Sequence, residues 1–226
     1  DVCSSDLRLS GPMLKQAFID GAVETGITIY DCGLASTPAM FMTTVDKKLA
    51  VTGGVMITAS HLPFNRNGIK FFTKDGGLEK ADIAEILDIA NRGELPVDRA
   101  GGKCVEYDFM ARYKAHLVEY IRSEVKADSF RRPLDGLRII VDAGNGTGGF
   151  FVDVLEELGA NTTGSQFTEP DGHFPNHIPN PEDRKAMASV CQAVVKNNAD
   201  LGIIFDTDVD RSAIVLRKGA PINRNS

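Results

Sequence analysis

The sequence predicts an α/β protein: two successive α/β domains with mixed, mainly parallel sheets covered by helices on both faces. Apolar runs of strand length, such as Leu201-Gly202-Ile203-Ile204-Phe205, alternate with stretches whose apolar residues recur at helical spacing, such as Glu79 to Arg92. Strands alternating with helices imply parallel pairing, with the crossover helices laid on the sheet faces. The length is the third observation. At 226 residues, 42% hydrophobic and 25% charged, the chain divides readily into two domains of roughly 100 residues. The segment Ala127 to Pro133 reads as the linker, giving domains 1–133 and 134–226.

The first domain opens with a helix from Pro12 to Thr25, where Leu14, Ala17, Phe18 and Ala22 share a face, followed by the strand Ile27 to Tyr30. Ser36-Thr37-Pro38 caps a second helix running towards Lys48, with Pro in the first turn, where its missing N–H costs nothing. Strands are expected at Val51 to Thr58 and Ile69 to Thr73. An amphipathic helix follows at Glu79 to Arg92, with Ile83, Ile86, Leu87 and Ala90 on one side, then a longer helix at Asp108 to Lys126. In the second domain the order is strand Leu137 to Val141, helix Gly148 to Leu158, strand Asn161 to Phe167, helix Glu182 to Asn197, and strands Leu201 to Phe205 and Ala213 to Leu216. No low-complexity segment or short-period repeat is visible.

Composition excludes several classes of function. A net charge of −6 and a pI near 5.3 argue against a nucleic-acid surface, which needs a basic face. No apolar span of 18 residues exists, so a membrane-crossing helix is not expected. Cys3, Cys32, Cys104 and Cys191 are scattered and form no C-x-x-C, which fits reduced thiols and a reducing compartment. A cytoplasmic location is the expectation, with an organelle such as a plastid left open by the uninformative N-terminus.

The chemistry concentrates in two places. At the exit of the run Leu201 to Phe205, Asp206, Asp208 and Asp210 stand at i, i+2 and i+4, followed by Arg211. Three carboxylates converging there repel one another unless a cation sits among them, and oxygen-only ligands favour a hard ion such as Mg²⁺. The plainer alternative is a solvated acidic turn. A calcium loop does not fit, since Arg211 stands where that loop needs Gly and Arg217 where it needs Glu. A fixed cation directly after the ligands suits a site that handles phosphate. The second place is Thr58-Ala59-Ser60-His61-Leu62-Pro63, a turn after a short apolar strand, with Asn67-Gly68-Ile69-Lys70 beyond it. Such a turn exposes the Ser60 hydroxyl, and His61 and Lys70 can move a proton or hold an anion. The flanking glycines of a hydrolase nucleophile elbow are missing.

Together these segments resemble the α-D-phosphohexomutase family of phosphoglucomutases and phosphomannomutases. The family's T-A-S-H-N-P loop is matched by Thr58-Ala59-Ser60-His61-Leu62-Pro63, with Leu62 in place of Asn. Its D-x-D-x-D-R loop is matched by Asp206 to Arg211, where Thr207 and Val209 replace residues that are often Gly. D-x-R-x-S appears as Asp6-Leu7-Arg8-Leu9-Ser10, D-x-G-N-G as Asp142-Ala143-Gly144-Asn145-Gly146, and F-P-N-H-x-P-x-P as Phe174 to Pro181. The matches run in family order.

The resemblance implies that 1–133 and 134–226 are the first two of four domains, the first cut at its N-terminus, and that the third and fourth are missing. It implies a phosphoserine at Ser60, with Ser60, Asp206, Asp208 and Asp210 holding Mg²⁺. Lys70 would move a proton with a sugar hydroxyl, with His61 second in line, and Arg211 and Arg8 would neutralise the phosphate. The implied ligands are a hexose phosphate and a hexose 1,6-bisphosphate. Two alternatives stand beside it. Leu62 cannot make the hydrogen bonds that Asn could, so a divergent paralogue that binds or senses sugar phosphates is the second reading. The third is a dinucleotide-binding domain, because Gly144 to Gly149 fits G-x-G-x-x-G and Glu169 follows about 20 residues later. His177 is taken as a turn residue that bonds locally, with its segment bordering the cleft as the alternative.

Overall fold

The computed structural model describes residues 1–93, 101–127 and 129–222. Asp128, within the expected linker, and residues 223–226, within the expected second domain, lie outside the described residues. By packing, the chain forms two compact units. One comprises Asp1–Ala59 and Asn65–Phe109, the other Ser60–Phe64 and the chain from Met110 onward.

The first unit contains β1 (Val2–Ser5), α1 (Gly11–Glu24), β2 (Thr28–Leu34), α2 (Thr37–Val45), β3 (Gly54–Ile57), β4 (Ile69–Thr73), β5 (Gly76–Gly77), α3 (Lys80–Arg92) and β6 (Lys103–Glu106). Its sheet runs β5-β4-β3-β1-β2-β6. The pairs β3–β1, β1–β2 and β2–β6 are parallel, while β3–β4 and β4–β5 are antiparallel. Strand alternation sorts the core. Cys3, Ile29, Val55 and Ile57 face α1, packing on Leu14, Phe18, Ile19 and Ala22. On the other face Gly54 lies close to Thr44 and the Met40 carbonyl of α2. Ser36 caps α2 by accepting from the Ala39 N–H at 3.3 Å.

The second unit holds the body of α4 (Phe109–Glu124), then β7 (Ile139–Asp142), a 3₁₀ turn at Thr147–Gly149, α5 (Phe150–Glu157), α6 (Arg184–Lys196), β8 (Leu201–Phe205), β9 (Ser212–Leu216) and β10 (Ala220–Pro221). Its sheet order is β10-β9-β8-β7, with β7–β8 parallel and the other pairs antiparallel. Ile139, Val141 and Phe205 pack on one face with Val154, Leu155 and Leu158. Ile140, Ile204 and Val215 pack on the other with Ala186, Val190, Ala193 and Val194 of α6. Each such fully buried aliphatic side chain contributes roughly 1.5–3 kcal/mol.

Some elements differ from the sequence reading. The expected boundary at 133/134 falls instead ahead of the body of α4, because Leu117, Val118 and Ile121 pack into the second unit's core. Asn161 to Phe167 makes only the isolated parallel bridges Arg138↔Asn161 and Asp142↔Gln166. Between them the chain turns, with Ser165 N–H donating to Thr162 O at 3.0 Å, and the Ser165 hydroxyl accepts the Val141 N–H that a ladder carbonyl would take. β1, β5, β6 and β10 were not expected. They are two to four residues long, too short to show a period, and their neighbours dictate them. α3 is amphipathic and has a reciprocal capping box between Glu79 and Asp82, yet none of its residues is buried.

Gly202 of β8 lets α6 approach closely. A Cβ there would fall 2.5 Å from Val194 Cγ2 and 3.2 Å from Val190 Cγ2. Gly202→Ala is therefore expected to destabilise the second unit by about 1–3 kcal/mol through overpacking. Urea denaturation checks this, and an unchanged midpoint would show that α6 yields freely.

Candidate active site

β8 ends at Phe205, and residues 206–211 form the hairpin loop into β9. The Asp206 N–H donates to Arg211 O at 3.1 Å, and the Val209 N–H donates to Asp206 O at 3.3 Å. The turn brings one carboxylate oxygen each of Asp206, Asp208 and Asp210 within 4.8 Å of one another. Asp206 and Asp208 are fully buried, while Asp210 is exposed. The Thr207 carbonyl accepts from Thr147 N–H at 2.8 Å and from its hydroxyl at 3.0 Å, which anchors the loop to the turn after β7.

Arg211 organises the cluster. Its N–H donates to Asp206 Oδ1 at 3.1 Å, and its guanidinium reaches Asp206 Oδ2 from Nε at 3.1 Å and Nη2 at 2.7 Å. Nη2 also donates to Ser60 Oγ at 2.7 Å and to His61 Nδ1 at 2.6 Å. The Ser60 hydroxyl in turn donates to Asp206 Oδ2 at 3.0 Å. A guanidinium carries only donors, so His61 Nδ1 is the acceptor and the ring's proton sits on Nε2. Ser60, His61, Asp206, Asp208, Asp210 and Arg211 are thus gathered within the second unit. The Asp206 carboxyl is pushed up to about 7 by burial and by the charges of Asp208 and Asp210, against the opposing hydrogen bonds from Arg211. Burial opposes the Arg211 charge, but Asp206 and Asp210 outweigh it and raise its pKa further.

An all-oxygen donor set of three carboxylates suits a hard cation such as Mg²⁺, which Asp206, Asp208 and Asp210 would hold. Two departures from the family pattern carry a cost. Val209 adopts φ +67°, a conformation that β-branched residues rarely take. Among the described residues, the buried Thr207 hydroxyl makes no hydrogen bond.

Arg8 and Lys70 belong to the first unit. Arg8 is fully buried. Its Nε pairs with Asp6 Oδ2 at 3.2 Å and its Nη1 donates to the Arg66 carbonyl at 3.0 Å, bracing the chain that returns after the Ser60 loop. Lys70 lies on β4 in register with Met56 of β3.

A second polar network escaped the sequence reading. Asp142, buried at the end of β7, accepts from Gly144 N–H at 3.0 Å, from Gln166 Nε2 at 2.7 Å and from His177 Nε2 at 3.0 Å. His177 does bond locally, with Nδ1 2.9 Å from the Ile178 carbonyl, and in addition its Nε2 reaches Asp142, 35 residues away in the chain. Its one signal was the pairing of an Asp at a strand exit with a His between prolines. The same turn removes the dinucleotide reading. The Asn145, Gly146 and Thr147 N–H groups, which a pyrophosphate would need, donate to the carbonyls of Phe167, Ala143 and Thr207. Gly148 is required by packing, because a Cβ would fall 2.8 Å from Phe205.

The phosphoglucomutase/phosphomannomutase α/β/α domain I description matches residues 2–96, and that of domain II matches residues 111–219. This chain belongs to the α-D-phosphohexomutase family. It is 32% identical over 214 residues to a phosphoglucomutase of Neisseria gonorrhoeae, a match covering 95% of this chain and 44% of the relative. It is 34% identical over 220 residues to a phosphomannomutase of Escherichia coli, covering 93% and 46%. A phosphoglucomutase/phosphomannomutase family structure from Burkholderia thailandensis superposes with a TM-score of 0.84 at 29% identity, covering 98% of this chain and 47% of that one. The chain thus spans about half the length of these relatives.

Two predictions follow from the loop. Because burial and the charges of Asp208 and Asp210 raise the Asp206 carboxyl to about 7, the acidic cluster shares a proton near neutral pH that Mg²⁺ binding should release. Apparent affinity should fall as pH drops below about 7, by up to about tenfold per unit, and level off about a unit above. Calorimetry in buffers of different ionisation enthalpy measures this, and an affinity flat from about pH 6 to 8 would contradict it. For Val209→Gly, relief of about 1–2 kcal/mol of left-handed strain is set against about 0.5–1 kcal/mol of added chain entropy and lost side-chain packing. Stability should stay within about 1 kcal/mol of wild type, and a larger loss in thermal unfolding would show that packing outweighs the strain.

Proposed function

We propose that this chain is the phosphoserine- and metal-bearing part of a phosphohexomutase. Such an enzyme moves phosphate between C1 and C6 of a hexose phosphate through a phosphoserine and a bisphosphorylated sugar. The observation that carries the reading is the Ser60 hydroxyl held between a fixed cation, Arg211, and a buried carboxylate, Asp206, with two further carboxylates beside it. Nothing in a solvated acidic turn would call for a serine aimed into the cluster.

In this reading Asp206, Asp208, Asp210 and the Ser60 oxygen hold Mg²⁺, which when bound would neutralise the cluster and draw charge from the Ser60 oxygen as it departs. A phosphoryl group on Ser60 would extend from an oxygen already bonded to Arg211, so the guanidinium is in place for the charge that develops on transfer. The phosphorus–oxygen bond to Ser60 breaks as one forms to the sugar hydroxyl. The hydroxyl proton passes to a base, for which Lys70 is the choice. His61, with its Nδ1 occupied by Arg211, is left with an Nε2–H donor and suits binding of a phosphate or sugar oxygen better than proton abstraction. Arg8, which pairs with Asp6 and donates to the Arg66 carbonyl, braces the chain at Arg66 and in this reading adds positive charge for the phosphate. We further propose that the length of the relatives beyond this chain supplies the contacts to the sugar hydroxyls and the distal phosphate.

In the full-length enzyme, radiolabelled glucose 1,6-bisphosphate should leave its label on Ser60, and Ser60→Ala should abolish both labelling and mutase turnover. An intact full-length protein that never takes up label would favour the sugar-phosphate sensor instead. Residues 1–226 alone should show no measurable turnover. Remote binding energy normally orients the reacting centre, so its loss depresses turnover as well as affinity. Robust turnover by the 226-residue chain would overturn the division of labour.

A further inference from the structure

Beside the Ser60 loop lies a cavity of about 220 Å³. His61, Leu62, Pro63 and Phe64 form one wall, and the segment containing Phe174, Ile178 and Pro179 forms the other. The near wall is tied to the reacting centre, because His61 bonds to the same Arg211 nitrogen as Ser60. The far wall is mostly irregular chain, and its Ile178 is 56% exposed. It therefore needs something behind it to hold its place.

His177 supplies that hold. Its side chain is 4% exposed and that of Asp142 is fully buried. Nε2 lies 3.0 and 3.1 Å from the two Asp142 oxygens, and Nδ1 lies 2.9 Å from the carbonyl of Ile178. A carboxylate and a carbonyl only accept, so both ring nitrogens are placed to donate; burial opposes the ring's charge, but the bonds to Asp142 and Ile178 outweigh it and raise the His177 pKa. The imidazole thereby bonds to the end of β7 with one nitrogen and to the cavity wall with the other. Phe167 packs edge-on against the ring at 5.3 Å, and Asn176 Nδ2 donates to Asn145 Oδ1 at 2.7 Å, a second tie to the same turn.

We propose that His177 is a positioning residue: bound to Asp142, it fixes the 174–179 segment as the cavity wall opposite the Ser60 loop and so sets where the sugar stands for transfer. The proposal rests on the phosphotransfer reading above, and its test separates the two. In the full-length enzyme, His177→Gln should slow transfer of label from the sugar bisphosphate to Ser60 by about 10- to 100-fold, the usual scale for a loosened wall or supporting residue. Mg²⁺ affinity should stay within about twofold, and amide exchange at 174–179 should accelerate. The double variant Asp142→Asn with His177→Gln restores a neutral hydrogen bond without leaving a buried charge alone, and should recover at least about tenfold of any hundredfold loss. Transfer by His177→Gln within twofold of wild type would overturn the proposal. So would unchanged exchange at 174–179, a parallel collapse of Mg²⁺ affinity, or a folded double variant that recovers nothing. If the wild-type enzyme takes no label, the phosphotransfer reading fails, and the exchange result alone then decides whether His177 holds the wall.

Discussion

The bond between Asp206 and Arg211 is the interaction on which the rest of the site depends. A buried carboxylate with two others nearby is strongly unfavourable in a low-dielectric setting, and the cluster needs a cation built into it. Arg211 is that cation, held by two elements of one hairpin: its main chain closes the turn on Asp206 and its side chain folds back onto the same carboxylate. The same guanidinium nitrogen that bonds Asp206, Nη2, also reaches Ser60 and His61, sharing its two hydrogens among three acceptors. The turn, the charge balance and the placement of the serine are therefore one arrangement, and removing the arginine would undo all three.

Around that pair the second unit behaves as a rigid mount. β8 is buried on both faces, between the core shared with α5 and the core shared with α6, so its exit cannot wander. The Thr147 turn grips the loop through the Thr207 carbonyl, using the Thr147 hydroxyl and an N–H that in a dinucleotide fold would face a ligand. A glycine-rich turn of nearly the same spelling thus serves opposite purposes, according to where its donors point.

The departures at Leu62, Thr207 and Val209 share a direction. Each puts a bulkier or less compatible side chain beside the chemistry: an exposed leucine on the serine loop, a buried hydroxyl without a partner, and a β-branched residue in left-handed backbone. The essential donors and acceptors nevertheless stay in bonding geometry. The surrounding packing over-determines the loop, which is how local strain is tolerated at functional sites.

The sequence by itself determined much of this protein. Leu201–Phe205 and Ile69–Thr73 are strands at the expected bounds, because their length, their apolar and aromatic content and the polar residues that bound them mark a strand. The helix expected from Glu182 to Asn197 is present as α6, Arg184–Lys196, its start set by the Asp183 cap. Ser60, the aspartates and Arg211 could be named because their chemistry is written in residue type and short spacing. What only the tertiary structure decided depends on partners far apart in the chain. The short strands β1, β5, β6 and β10 exist because neighbours offer hydrogen bonds, not because their own residues insist on extension. Asn161–Phe167 fails as a strand because Ser165 takes over a ladder bond. Arg8 is a buried brace, α4 joins the second core, and His177 finds Asp142 across 35 residues. Burial and pairing are properties of the folded neighbourhood, and no local pattern carries them.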